Sequence, residues 1–310
     1  MILSVSRRTD IPAFYTEWFF NRLKEGFVLV RNPMNYHQVS RVILDPDITD
    51  CIVFWTKDPS NMLDKLDLLK EYNYYFQITI TPYDSKIERN VAQKKHIIES
   101  FKKLSDLTGK RRTVWRYDPI ILTDRMDIEY HKKYFDMLAS RLKDYTERCI
   151  ISFMDIYKKS ERNMKGFNIA DISERDMIET GKALSEIASR YGLEIKACSE
   201  SVDLSSAGIE PAKCIDARLI SDIAGENINV KKDKNQRDIC GCAESIDIGA
   251  YNTCKHGCLY CYANYSDNTV KNNIMKHDPK SPMLIGNIEP GDKITDRKIE
   301  SYRNTQLRFY

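Results

Sequence analysis

The sequence predicts an α/β fold built on a (β/α) barrel, complete or partial, in a single domain over residues 1–310. Two observations carry this. Short apolar runs alternate with longer amphipathic stretches along most of the chain, the order that gives a parallel sheet with helical crossovers. Most of those runs are close to continuously apolar, as strands covered on both faces should be.

Strands are expected at 2–6, 27–30, 51–55, 74–80, 113–116, 149–154, 193–197 and 245–249, all rich in β-branched and aromatic residues. Eight such strands are enough to close a barrel. Helices are expected at 14–24, 61–71, 86–107, 128–142, 174–190 and 211–224. Leu63, Leu66 and Leu69, or Ile178, Leu184, Ile187 and Ala188, supply apolar faces. Ser173 ahead of Glu174 and Asp176 reads as an N-cap with acids in the first turn. The sequence lacks a G-x-G-x-x-G or P-loop motif, and no repeat or linker divides it.

Polar residues follow the strands in register. The first runs into Arg7-Arg8-Thr9-Asp10, the third ends Thr56-Lys57-Asp58, and the fifth ends Arg116-Tyr117-Asp118. The seventh ends Lys196-Ala197-Cys198-Ser199-Glu200. In a parallel barrel these ends share one mouth, where active sites are built. Arg7, Arg8, Asp10, Lys57 and Arg116 are therefore candidate site residues. With Lys196, the basic members predict a positive lining suited to an anionic substrate, such as a phosphorylated small molecule or nucleotide. Trp55 and Tyr117 could stack on a base, although core packing explains each as well.

Charge excludes little. Lys and Arg number 48 against 45 Asp and Glu, a net charge of +3, so nucleic acid stays open as a partner without being indicated. No run approaches the roughly 18 apolar residues of a membrane span, and residues 1–8 lack the pattern of a signal peptide. A cytoplasmic protein without a membrane partner is expected.

Cysteine is the informative residue. Of nine cysteines, Cys51 and Cys149 open apolar runs and read as buried strand residues, while seven crowd between 198 and 261. In a chain not expected to form disulfides, such crowding points to metal. Residues 240–265 form the densest segment. Cys254, Cys258 and Cys261 make a C-x3-C-x2-C run with Gly257 inside it. Three thiolates so spaced can bind three irons of a cubane and leave the fourth open to a ligand. A structural zinc site completed by Cys242 or His256 is the alternative, although such sites usually pair two C-x2-C units. Cys198, Cys214, Cys240 and Cys242 remain. They read as ordinary thiols or as the four ligands of a second centre, with iron–sulfur preferred to zinc in a compartment that already assembles clusters.

The run Cys254-Lys255-His256-Gly257-Cys258-Leu259-Tyr260-Cys261-Tyr262 resembles the signature of the radical S-adenosylmethionine (SAM) superfamily. That resemblance spans about a dozen residues. It implies a [4Fe–4S] cluster on Cys254, Cys258 and Cys261, SAM chelated at the unique iron, Tyr260 beside the adenine, and an electron donor such as a flavodoxin or ferredoxin. The implied activity is reductive cleavage of SAM to a 5′-deoxyadenosyl radical. Two features depart from the family. The cysteine loop lies near the C-terminus rather than after the first strand, and no Gly-Gly-Glu motif follows it. The whole chain resembles a bacterial family of unknown function with such cysteines at its C-terminal end. A circularly permuted barrel reconciles the order, provided the strand at 245–249 lies beside the first. The competing expectation is a non-catalytic iron–sulfur electron carrier or zinc-stapled binding module, with Cys242 as the fourth ligand.

Overall fold

The computed structural model describes residues 1–156, 158–169 and 172–303. Its main sheet contains β1 (Ile2–Val5), β4 (Cys51–Thr56), β5 (Tyr74–Thr79), β6 (Thr113–Ile120), β7 (Arg148–Phe153), β8 (Glu194–Ala197), β9 (Glu210–Pro211) and β10 (Ile246–Asp247). The strand order is β10-β1-β4-β5-β6-β7-β8-β9, and every pairing is parallel. This is a barrel-like sheet whose edge strands, β9 and β10, do not pair with each other. The expected neighbourhood of the last and first strands is present, because Leu3 and Ser4 of β1 register with Ile246 and Asp247 of β10.

One expected barrel strand lies elsewhere. β2 (Phe27–Arg31) pairs antiparallel with β3 (Gln38–Ile43), and β3 pairs with β11 (Lys293–Asp296), forming a separate three-stranded sheet. The eighth place in the main sheet is taken by β9 instead.

Period-two alternation gives the main sheet two faces. Leu3, Val5, Phe54, Phe76, Ile78, Trp115, Tyr117, Cys149 and Ile151 pack against helices. These include α2 (Thr16–Glu25), α3 (Lys94–Thr108), α4 (Ile128–Leu142) and α6 (Glu174–Arg190). On the other face, Ile2, Cys51, Val53, Tyr75, Val114 and Ile150 meet Ala212, Cys214, Ile215, Leu219, Ile220, Cys240 and Cys242. The segment from β9 to β10, with α7 (Ala217–Ala224), therefore fills the inner face. Cys51 and Cys149 are fully buried strand residues, as expected.

Helices over 128–142 and 174–190 form as expected, and Ser173 caps the second by accepting from Asp176 N–H. Other boundaries differ for local reasons. Residues 14–24 divide into α1 (Ile11–Phe14) and α2 at Tyr15, with Asp10 capping α1. The Leu63-Leu66-Leu69 spacing of three suits the 3₁₀ turns observed over Ser60–Leu69. The helix expected from 86 begins at Lys94, because Pro82 and an Asp84 turn hold 84–91 as a loop. The helix expected from 211 begins at Ala217 under an Asp216 cap. Among the described residues no helix is long and apolar enough to cross a membrane.

Candidate metal centre

The cysteine loop leaves β10 at the edge of the sheet where the parallel strands end. Its entry is fixed to β1. Asp247 accepts from Ser4 Oγ at 2.9 Å, Ser6 Oγ at 2.6 Å and the Arg7 backbone N–H at 2.8 Å. Gly249 is required by close approach. A Cβ there would stand 2.1 Å from Ser6 Oγ and 2.6 Å from Ser6 Cβ. α8 (Asp267–Ile274) follows the loop, so strand, cysteine loop and helix succeed one another here.

Three parts of the fold hold the loop itself. Tyr15 Oη donates to Thr253 O at 2.6 Å, and Asn90 N–H and Leu259 N–H pair with His256 O and Ile87 O at 2.9 and 3.0 Å. Lys159 Nζ reaches Cys261 O at 3.1 Å from α5 (Lys158–Asn163). Gly257 sits at φ +65°, and a Cβ would press Asn90 Nδ2 at 3.0 Å, so glycine is the residue that fits this turn.

Cys254, Cys258 and Cys261 are half-buried and unbridged, and each lies within electrostatic range of the others. N–H groups point at two of their sulfurs: His256 N–H at Cys254 and Ala263 N–H at Cys261 Sγ, the latter at 3.3 Å. Such donors suit a thiolate-bound cluster, whose charge they help balance. Burial first, then neighbouring charges, raises the Cys254 thiol and pushes Cys258 up to about 12, partly opposed at Cys258 by Lys57. Buried His256 Nδ1 and Asn264 Oδ1 lack hydrogen-bond partners beside the loop. The donor set therefore fits a cluster carried on three thiolates. Among the described residues, no three His, Cys, Asp or Glu side chains are already gathered about a metal-sized point.

Of the expected mouth residues, Arg7, Arg8, Asp10 and Lys57 come together around this loop, whereas Arg116 lies against Cys214. Asp10 ties α1 to the loop. It accepts from Ala13 N–H at 2.9 Å and Lys57 N–H at 2.7 Å, and bonds His256 Nε2 at 2.8 Å. Asp233 lies 3.7 Å from Arg7 Nη2, and Arg8 faces Asp247. Arg8 Nε lies 3.9 Å from it, and Arg8 Nη1 donates to Gly249 O at 3.4 Å. Burial disfavours the Arg7 charge, but Asp247, then Cys242, Tyr262 and Asp233, more than restore it.

The positive lining is matched by acids. Lys57 Nζ pairs with Glu88 at 2.7 Å, Arg116 with Asp118, and Lys196 with Glu194 at 2.9 Å. Trp55 already faces the guanidinium groups of Arg7 and Arg116 at 5.9 and 5.2 Å. Tyr117 is a core residue whose hydroxyl bonds His131 Nδ1 at 2.8 Å.

Sequence reading missed Glu88, which an apparent helix over 86–107 concealed. The Thr81-Pro82-Tyr83-Asp84 breaker was the available signal. Glu88 is 1% exposed and bonded by Lys57, Lys94, Thr81 Oγ1 and Tyr260 Oη. Burial would raise its carboxyl, but Lys57 and Lys94 hold it down at about 2. Tyr260 is thereby fixed, with Lys57 Nζ 5.6 Å above its ring and Tyr83 edge-on at 6.0 Å. Glu200, at the end of β8, accepts from Phe153 N–H at 2.8 Å, and burial pushes its carboxyl up to about 7.

Cys198, Cys214, Cys240 and Cys242 lie apart from the loop, in the segment between the sheet's open edges. Cys198 Sγ and Cys214 Sγ are 3.0 Å apart. Cys214 and Cys242 are in hydrogen-bonding contact, as are Cys242 and Cys240.

A family profile described as a domain of unknown function, DUF1848, matches residues 2–263. The chain belongs to the DUF1848 family. That description carries no activity and no cysteine motif. No curated protein matches the chain. Among solved structures, a D-hydantoinase from Bacillus sp. AR9 is similar at 9% identity and TM-score 0.27, over 50% of this chain and 35% of that one. A putative α-L-fucosidase from Bacteroides thetaiotaomicron is similar at 11% identity and TM-score 0.26, covering 70% and 81%. An endo-1,4-β-D-mannanase from Thermotoga petrophila gives 12% and 0.24, covering 73% and 90%.

Proposed function

We propose that this DUF1848 protein is a radical SAM enzyme of the cytoplasm, with a [4Fe–4S] cluster held by Cys254, Cys258 and Cys261. The observation that carries the reading is the separation of the cysteines. Cys242, the one nearby candidate for a fourth ligand, is engaged with Cys214, Cys240 and the Ile215 N–H, the last at 3.4 Å from its Sγ. A three-cysteine loop leaves one iron open, which an electron carrier does not need and a SAM enzyme does. When bound and reduced by a flavodoxin or ferredoxin, the cluster supplies the electron that breaks the sulfur–carbon bond of SAM.

The chain's own residues bind and orient. Glu88 and Lys57 fix Tyr260 beside the loop, where the resemblance sets the adenine. Asp10 holds His256, and through it the turn between Cys254 and Cys258. An anionic substrate at the mouth finds Arg8 the least tightly paired cation, 3.9 Å from Asp247, and arginine grips carboxylate or phosphate with two parallel bonds. Anaerobically reconstituted protein, reduced in the presence of SAM, is expected to form 5′-deoxyadenosine. Replacing Cys254, Cys258 or Cys261 with Ala should abolish that product. Full activity in any of the three variants would overturn the reading.

A further inference from the structure

The four cysteines outside the loop occupy one place in the fold. Cys198 follows β8, Cys214 follows β9, and Cys240 and Cys242 precede β10. β9 and β10 are the two unpaired edges of the parallel sheet. Across this seam Ala243 N–H donates to Ile215 O at 2.9 Å, and Ile215 N–H points at Cys242 Sγ at 3.4 Å. Between the edges, Cys198 Sγ touches Cys214 Sγ at 3.0 Å, and side-chain interactions link Cys214 to Cys242 and Cys242 to Cys240. Three of the four residues are at most 6% exposed.

Buried thiols in a row satisfy one another poorly, since each is a weak donor and a weak acceptor. Around them the fold supplies what a thiolate centre requires. Arg116 Nη1 stands 2.9 Å from Cys214 Sγ, and the same guanidinium is fixed by Gln77 Oε1 at 3.0 Å and by Asp118. Tyr75 Oη and Gln77 Nε2 hold Cys214 O from β5, the former at 2.6 Å. A fixed cation and a backbone donor aimed at the sulfurs are the outer-shell groups that orient ligands and offset their charge.

We infer that Cys198, Cys214, Cys240 and Cys242 bind one tetrahedrally coordinated zinc ion, which fastens the open seam between β9 and β10. The spacing selects a single ion over a cubane. Four sulfurs about 2.3 Å from zinc lie roughly 3.8 Å from one another; the 3.0 Å between Cys198 Sγ and Cys214 Sγ is shorter than that, and since the four are not already gathered about a metal-sized point, the ion would draw this pair apart and Cys240 and Cys242 inward. Cubane thiolates sit on four different irons and stand well apart. Tetrahedral S₄ sites belong to zinc or iron, and zinc brings no redox chemistry to a wall position. This site is independent of the SAM reading, because it uses none of the loop cysteines.

The test is metal content and thiol reactivity of the full chain, purified anaerobically from zinc-supplemented, iron-restricted cultures. One equivalent of zinc is expected in the wild type and in the C254A/C258A/C261A variant, and loss of that equivalent is expected in C214S/C242S. In the unaltered protein, mass mapping after iodoacetamide should find Cys198, Cys214, Cys240 and Cys242 unmodified until a chelator is added. This arm does not depend on any variant folding. Zinc-free protein with these four thiols freely alkylated would overturn the inference, as would a Cys198–Cys214 disulfide. Acid-labile sulfide with iron in the loop-cysteine variant would overturn it too, by replacing the single ion with a second cluster.

Discussion

Glu88→Gln tests how the site is supported. The carboxylate is 1% exposed and receives two ammonium groups, a threonine hydroxyl and the Tyr260 hydroxyl. The amide keeps the shape but leaves Lys57 and Lys94 facing a neutral group. Breaking a buried pair from one side costs about 3–5 kcal/mol. The charge environment gives a similar figure. Holding the carboxyl at about 2 instead of 4.5 corresponds to about 3 kcal/mol, at about 1.4 kcal/mol for each tenfold change. The sign follows from a depressed value: this stabilisation is full above pH 4.5 and is lost as pH falls towards 2. At pH 7, thermal unfolding followed by circular dichroism should show the variant melting at least about 5 °C lower. Its stability should also vary less between pH 4.5 and 2. A variant within about 1 °C of wild type at pH 7 would refute the claim that this carboxylate supports the loop.

Two further outcomes follow from local geometry. Gly249→Ala should destabilise the fold by about 1–3 kcal/mol and lower cluster loading, because the new methyl collides with Ser6 Cβ as well as its hydroxyl; unchanged melting and iron content would contradict the close packing of β1 on the loop's entry. His131 is buried between Tyr117 Oη and Ile121 O, and burial lowers its imidazole to about 4. Its contribution is present above pH 6.5 and lost as pH falls towards 4, so denaturant midpoints should drop in that window for wild type and less for His131→Gln; equal slopes would remove His131 from the account.

The parallel framework was legible because strands covered on both faces are written as unbroken apolar runs: Cys51 to Trp55 and Cys149 to Phe153 appear where expected. The adjacency of β10 and β1 also follows from the sequence, since a permuted cysteine loop needs that neighbour. β3 was not legible. Gln38, Ser40 and Arg41 interrupt its apolar residues because the strand is exposed on one side, so β2 was assigned to the wrong sheet. At the site, the cysteines and strand-end cations were visible as residue types in a pattern. Their partners were not, because Asp233, Asp247 and Glu88 meet Arg7, Arg8 and Lys57 from distant parts of the chain. Pairing at that range is set by topology, and it turned an expected positive mouth into one matched by acids.

The central claim, an iron left open by a three-cysteine loop for SAM to bind, is tested most directly by electron paramagnetic resonance of the dithionite-reduced, anaerobically reconstituted protein. Adding SAM should change the cluster signal, and SAM carrying ¹⁵N in its amino group should show hyperfine coupling to the cluster, both absent in Cys258→Ala. A fully loaded four-iron cluster whose spectrum is unchanged by saturating SAM would contradict the account.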